Sequence, residues 1–151
     1  RNVRMTEINA LIGRVQFDRL PEFISRRREL AEIYINELAE FNGIKLIVPK
    51  NLKSSSFWKV PALLNSNLSR PRVTKFLSEN GITIDWAYQP ALHMQPVMQN
   101  LYNSYKGQLP ITEDCLSRNI NLPCHPRLTN EDVVFTCNKL KEIILNERKN
   151  L

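Results

Sequence analysis

The chain has 151 residues, 42% of them hydrophobic and 24% charged, which is the composition of a folded domain and not of a disordered tail. A single domain of that length buries roughly two-thirds of the surface its unfolded chain exposes, so a core needs neither disulfide nor metal. The formal charge of +6 is interleaved with acid, since Asp18, Glu22, Glu29 and Glu32 surround the contiguous Arg26, Arg27 and Arg28. No aromatic residues are spaced along a basic strand, so the stretch reads as a solvated helix face or an anion-facing patch and argues against a nucleic-acid partner.

Met5, Ile8, Ile12 and Val15 recur at three- and four-residue steps behind Thr6, an N-cap residue, and predict an amphipathic helix to about Leu20. Gly13 costs that helix roughly 1 kcal/mol relative to alanine and is read as permitting close packing. Pro21 suits the first turn of a second helix, whose stripe of Phe23, Ile24, Leu30, Ala31, Tyr34, Leu38 and Phe41 runs to a stop at Asn42-Gly43. The two helices make a long arm, bent near Leu20, with an apolar side that something must cover.

A strand-like run over 44–48 leads into a polar loop from Pro49 to Ser56. Phe57 to Leu64 alternates with Trp58, Val60, Ala62 and Leu64 on one face, and Pro61 assigns it to an edge or a bulge. Ser69 caps a helix with Pro71 in its first turn and Val73, Phe76 and Leu77 inward, closed by Asn80-Gly81. Ile82, Ile84 and Trp86 alternate as a second strand. From Ala87 to Pro110 runs a long irregular connection with a short helix over 97–102, and loops of that length are usually functional or disordered. Residues 111–118 give one or two helical turns, 119–122 a third strand, and Thr129 caps a last helix with Val133, Cys137, Leu140 and Ile144 as its buried stripe. The order predicts an α+β fold: a small, three-stranded, mostly antiparallel sheet covered by helices on one side and preceded by the bent arm. The division expected is an arm over 1–43 and a small α+β domain over 44–151.

Cys115, Cys124 and Cys137 are odd in number and lack Cys-x-x-Cys spacing, so they read as buried free thiols without a metal. No apolar run approaches the ~20 residues that cross a bilayer and no secretory leader precedes the first helix, so a cytoplasmic setting without a membrane partner is expected. The helical pattern is already running by Met5 with no start methionine ahead of Arg1, which reads as a truncated product.

There is no phosphate-cradling glycine loop and no nucleophile with an obvious base. Three stretches are polar where a plain core would not need them. Asn2 and Arg4 precede a helix whose N-terminal N–H groups favour an anion, and the arginine fork suits phosphate. The run from Asp85 to Pro96 enters a loop with Tyr88 and His93, a phenol and an imidazole where binding groups collect. The run Leu122-Pro123-Cys124-His125-Pro126 is explained by turn geometry alone.

These stretches, in this order, resemble the DegT/DnrJ family of pyridoxal-phosphate-dependent aminotransferases acting on nucleotide-linked keto sugars. The similarity lies in Asn2-Val3-Arg4-Met5-Thr6-Glu7-Ile8, Gln16-Phe17-Asp18-Arg19-Leu20 and Arg26-Arg27-Arg28-Glu29-Leu30-Ala31. It continues in Gly81-Ile82, Tyr88-Gln89-Pro90, Leu92-His93-Met94-Gln95-Pro96, Pro110, Glu113, Leu122-Pro123, Pro126 and Thr129-Asn130-Glu131-Asp132-Val133. The resemblance implies the C-terminal part of a fold-type-I aminotransferase, a helical bridge plus the small domain, working as a homodimer with sites at the subunit interface. It implies that Asn2 and Arg4 reach the cofactor phosphate and that Tyr88 and His93 lie on the sugar-nucleotide side. It also implies that an amino donor, commonly glutamate, loads the cofactor.

Val3 and Ala87 depart from the pattern, standing where an aromatic residue and a histidine are usual. The resemblance assigns the Schiff-base lysine, the acid at the pyridine nitrogen and the ring-stacking residue to an N-terminal cofactor-binding domain absent from this sequence. No catalytic residue is therefore expected in this chain, and the chain alone is not expected to transaminate. The competing expectation is a non-catalytic dimerisation or regulatory module, or a nucleic-acid-binding one whose association would be salt-sensitive.

Overall fold

The structure, a computed structural model, describes residues 4–103 and 105–149, the side chains of 148 and 149 excepted. Helix α1 (Glu7–Asp18) begins where Thr6 Oγ1 accepts the Asn9 N–H at 3.2 Å, the N-cap expected. Arg19 closes α1 and opens α2 (Leu20–Leu38), and its guanidinium lies 4.7 Å from the Phe23 ring centroid. The two halves of this arm differ in burial. Leu30, Ala31, Tyr34 and Leu38 of α2 enter the core, whereas α1 has no buried residue, and Met5 just ahead of it is, like Ile8, Leu11, Ile12, Val15 and Phe17, between 57% and 72% exposed. A Cβ on Gly13 would meet nothing within 4 Å, so the close approach expected there is absent within this chain.

The sheet has the order β1 (Ile44–Leu46), β2 (Val60–Leu64), β3 (Asn119–Leu122), antiparallel throughout. Its core face is set by register: Ile44 opposes Leu64, Leu46 and Ile120 oppose Ala62, and Leu122 opposes Val60. Helices α2, α3 (Arg70–Glu79) and α6 (Asn130–Lys149) cover that face, α6 packing on both of the others. Val73, Leu77, Val133, Cys137, Leu140 and Ile144 join the strands there in one core. Thr129 and Asp132 start α6 reciprocally: Thr129 Oγ1 accepts the Asp132 N–H at 3.1 Å and Asp132 accepts the Thr129 N–H at 2.9 Å.

Three expectations are corrected. Pro61 stands in the central strand, not at an edge. Its carbonyl accepts the Ile47 N–H at 2.8 Å, so both main-chain polar positions of residue 61 face β1, just past the last residue of that strand. The missing donor thus costs one bond at a fraying end and none to β3.

The run 82–86 is not a strand, for it meets β3 through a single bridge between Asp85 and Asn121. Side chains take over where a ladder would continue: Asn119 Oδ1 accepts the Ala87 N–H at 2.7 Å, and Arg70 donates to the Asn119 carbonyl at 3.2 Å. Ile44–Leu46 supplies the third strand instead.

Trp58 is on the outer side, 70% exposed, although alternation placed it inward. Phe57 has φ +45, a left-handed backbone that costs a non-glycine residue about 1–3 kcal/mol. That twist turns Phe57 into the core and Trp58 out.

Candidate functional site

The sheet face opposite the helices carries Lys45, Pro61, Leu63, Asn119 and Asn121, by the same register that buries their neighbours. Over part of it opens a cleft of about 730 Å³, floored by Pro61 and Asn121 and walled by Trp58, Lys59, Trp86 and Tyr88. Its size lies within the range of small-molecule sites. Each tryptophan is backed by a cation: Lys59 Nζ is 4.6 Å from the Trp58 ring centroid and Arg70 Cζ is 5.1 Å from that of Trp86. Arg70 is itself held by the Leu116 carbonyl at 2.7 Å and the Asn119 carbonyl at 3.2 Å, which steadies the ring beside it.

Asp85 organises the floor. It accepts from Lys59 and, at 2.8 Å, from Asn121 Nδ2, while its carbonyl accepts the Asn121 N–H at 2.7 Å. Burial raises its carboxyl, but the hydrogen bonds from Lys59 and Asn121 outweigh that and hold it below the usual carboxylate range. Lys59 is thus held against Asp85 at the edge of the cleft.

The candidate residues fall in different places. Asn2 lies outside the described residues. Arg4 is exposed on the approach to α1. Tyr88, 84% exposed, lines the cleft at its entrance to the long connection, followed by a cis peptide between Gln89 and Pro90. His93 is not among the cleft's lining residues. It sits buried in a 3-10 turn (Leu92–Met94), with Nε2 2.9 Å from Glu113 Oε1. The same oxygen accepts the Gly107 N–H at 2.7 Å and the Leu109 N–H at 3.4 Å. Hydrogen bonding from His93 is the main reason the Glu113 carboxyl lies below its ordinary range. The pair joins α5 (Pro110–Arg118) to the turn that precedes α4 (Pro96–Tyr102), closing the long connection on itself.

The three thiols are free, Cys124 and Cys137 buried and Cys115 half-buried, and no metal-binding cluster of His, Cys, Asp and Glu occurs among the described residues. Among those residues, no helix is long and apolar enough to cross a membrane. Of the contiguous arginines, Arg26 and Arg28 are tied to main-chain carbonyls. Arg26 donates to the Leu128 carbonyl at 2.8 Å, and Arg28 donates to the Ser55 carbonyl at 3.0 Å and to the Lys53 carbonyl at 2.5 Å. Pattern reading missed Trp58 and Lys59 because both lie on a run whose alternation pointed elsewhere. The available signal was Ser54-Ser55-Ser56, a polar lead-in that frees the chain to turn before the strand.

The three-stranded antiparallel sheet covered by helices is a fold shared with sugar aminotransferases of the fold-type-I class. It superimposes on the aminotransferase TlmJ of Streptoalloteichus hindustanus with a TM-score of 0.84 at 27% identity, over 97% of this chain and 38% of that one. Residues 1–141 match the DegT/DnrJ/EryC1/StrS aminotransferase family, and the chain belongs to it. Among curated relatives, GDP-perosamine synthase of Escherichia coli O157:H7 is 34% identical over 146 residues, 93% of this chain and 37% of that protein. The dTDP-4-dehydro-2,3,6-trideoxy-D-glucose 4-aminotransferase of Saccharopolyspora spinosa is 31% identical over 142 residues, 91% of this chain and 34% of that protein. The chain therefore spans little more than a third of the length of these relatives. Aminotransferases of this family depend on pyridoxal phosphate.

Proposed function

We propose that this chain supplies the bridge (1–43) and the small domain (44–151) of a homodimeric, pyridoxal-phosphate-dependent aminotransferase. That enzyme moves an amino group, from glutamate, to a nucleotide-linked keto sugar. The family match over residues 1–141 carries this reading. The apolar face of α1 supports it, because Ile8, Leu11, Ile12 and Val15 are left for another surface to cover.

Bound pyridoxal phosphate supplies an electron sink, and the protein's part is binding, orientation and electrostatics. The residues here fit a share of that part and not the whole. Arg4, with Asn2, has the chemistry to meet the cofactor phosphate beside the N-terminus of α1. The lysine that holds the cofactor is not in the cleft, whose one lysine, Lys59, is committed to Asp85. Tyr88, at the cleft mouth, faces the sugar nucleotide. His93 serves the same side through Glu113, by holding the long connection that begins at Tyr88.

The protein translated from the whole reading frame is expected to show the yellow absorbance of lysine-held cofactor and to lose it on adding glutamate. A colourless protein lacking that lysine would sink the reading. The 151-residue chain alone should bind no cofactor and stay colourless.

A further inference from the structure

We infer that Arg70, which does not itself line the cleft, is the positioning residue that sets the cleft wall from Trp86 to Gln89 and, within that wall, Tyr88. The inference rests on the aminotransferase reading only for what the cleft takes, and it names the residue that holds the wall in place.

A cation in the first turn of a helix meets the positive end of the helix dipole, so Arg70, the first residue of α3, stands where a basic side chain is ordinarily disfavoured. Compensation comes from two other elements. Leu116 lies in the last turn of α5, where carbonyls lack a partner along their own helix, and its oxygen accepts from Arg70 Nη1 at 2.7 Å. The Asn119 carbonyl, at the start of β3, accepts from the same nitrogen at 3.2 Å. One half-buried guanidinium therefore joins α3, α5 and β3, and its Cζ lies 5.1 Å from the Trp86 ring centroid, within the range at which arginine stacks on an indole.

The wall has no ladder of its own, because the run before it meets β3 only through the bridge between Asp85 and Asn121. Its ties lead back to Arg70 instead. Trp86 is touched directly. The Ala87 N–H donates to Asn119 Oδ1 at 2.7 Å, and Gln89 Nε2 donates at 3.1 Å to the Leu116 carbonyl that Arg70 also holds. Trp86, Ala87 and Gln89 are thus fixed by Arg70 or by the two residues bonded to it, and exposed Tyr88 takes its place from the neighbours on either side. Without the fork, α3 loses its grip on Leu116 and Asn119, and the anchors of residues 87 and 89 loosen with them.

The test starts with the 151-residue chain. Of its two tryptophans, Trp58→Phe leaves Trp86 alone as a reporter. In that background Arg70→Gln should increase acrylamide quenching of Trp86 about twofold, through loss of the stacked cation. In the otherwise unaltered chain it should speed amide exchange at Ala87 about tenfold relative to buried Leu140 of α6, which reports overall stability. Arg70→Lys, which keeps the charge without the planar fork, should restore part of both effects. In the full-length enzyme Arg70→Gln should raise KM for the nucleotide-linked keto sugar about tenfold, with kcat held within about twofold and the reaction with glutamate unchanged, the signature of lost substrate binding alone.

Equal acceleration of exchange at Ala87 and Leu140 would overturn the inference, as would unchanged quenching of Trp86, because the arginine would then serve the fold at large and not the wall. If Arg70→Gln does not fold, Arg70→Lys decides by the same two readings, and wild-type values in that chain would refute the role. A coloured full-length enzyme whose KM for the keto sugar is unmoved by Arg70→Gln would sink the positioning role alone. A colourless wild-type enzyme would sink the aminotransferase reading and leave the two measurements on the chain to decide for Arg70.

Discussion

Replacing Tyr34 separates one hydrogen bond from the packing that surrounds it, and the two have different signatures. The Tyr34 ring is 0% exposed between α2, α6 and the turn after β3, and its hydroxyl donates to the Pro123 carbonyl at 3.0 Å. Tyr34→Phe keeps the ring and deletes that bond, a net loss of about 1 kcal/mol because half-buried Pro123 can turn its carbonyl to water. For a domain of this size that corresponds to a Tm lowered by roughly 2–4 °C. Tyr34→Ala also removes the ring and should cost about 3–5 kcal/mol, a large part of the 5–15 kcal/mol typical of a whole domain.

The phenol adds a dependence on pH. Burial, reinforced by Cys137, raises the Tyr34 hydroxyl well above its ordinary value. Burial likewise pushes the Cys137 thiol up to about 12 and the Cys124 thiol up to about 11. A raised folded-state value means that the unfolded chain releases a proton which the folded chain retains. Stability is therefore full below the unfolded values, near 9 for the thiols and 10 for the phenol, and falls as pH rises beyond them, by at most about 1.4 kcal/mol per unit for each group. Urea unfolding followed by circular dichroism from neutral pH to about pH 11 measures both effects. Tyr34→Phe should flatten the decline above about pH 10 and leave the thiol part intact. If Tyr34→Phe cost as much as Tyr34→Ala, or declined with base as steeply as the wild type, the reasoning would be wrong.

Glu113→Gln should release the loop at Gly107 and Leu109, read as faster amide exchange at both residues, because Glu113 Oε1 accepts from each and from His93. The wild-type loop should hold above the ordinary carboxylate range and loosen as pH falls through the lowered Glu113 value, a dependence that Glu113→Gln abolishes. Alkylation at neutral pH followed by mass spectrometry should label half-buried Cys115 well before Cys124 or Cys137, since buried, raised thiols carry little thiolate. Equal labelling would contradict the core. Gly13→Ala should raise helicity over α1 by removing a penalty of about 1 kcal/mol, because no neighbour opposes the added methyl. Amide exchange across Glu7–Asp18 would report it, and a loss of helix would show that something packs there.

Much of the molecule is legible in its residue pattern because helices obey local rules. Thr6, Pro21, Ser69, Thr129 and Asn80-Gly81 mark where helices start and stop, and the stripe Val133, Cys137, Leu140, Ile144 is buried as its spacing requires. Strand assignment was harder. Ile82, Ile84 and Trp86 alternate like a strand, and the two isoleucines are indeed buried, yet the segment fails to form a ladder because Asn119 and Arg70 occupy the polar positions of β3. Pairing depends on which groups a distant segment brings, and alternation carries no information about that.

The site divides in the same way. Tyr88 and His93 were visible as polar, ring-bearing residues in a long loop, but their fates diverge: Tyr88 lines the cleft, while His93 is consumed by Glu113, twenty residues on. Trp58 alternated with Val60, Ala62 and Leu64, and Arg27 read as part of a solvated helix face or an anion-facing patch. The two line one recess, with Lys59, where β2, α2 and the turn after β3 meet. Helix boundaries, the apolar stripes and the covered sheet follow from the sequence itself, since caps, periodicity and propensity act within a few residues of one another. The central place of Pro61, the outward turn of Trp58 and the burial of Arg27 Nε without a partner among the described residues were decided by tertiary structure, because each depends on a hydrogen-bond partner or a steric neighbour remote in the chain.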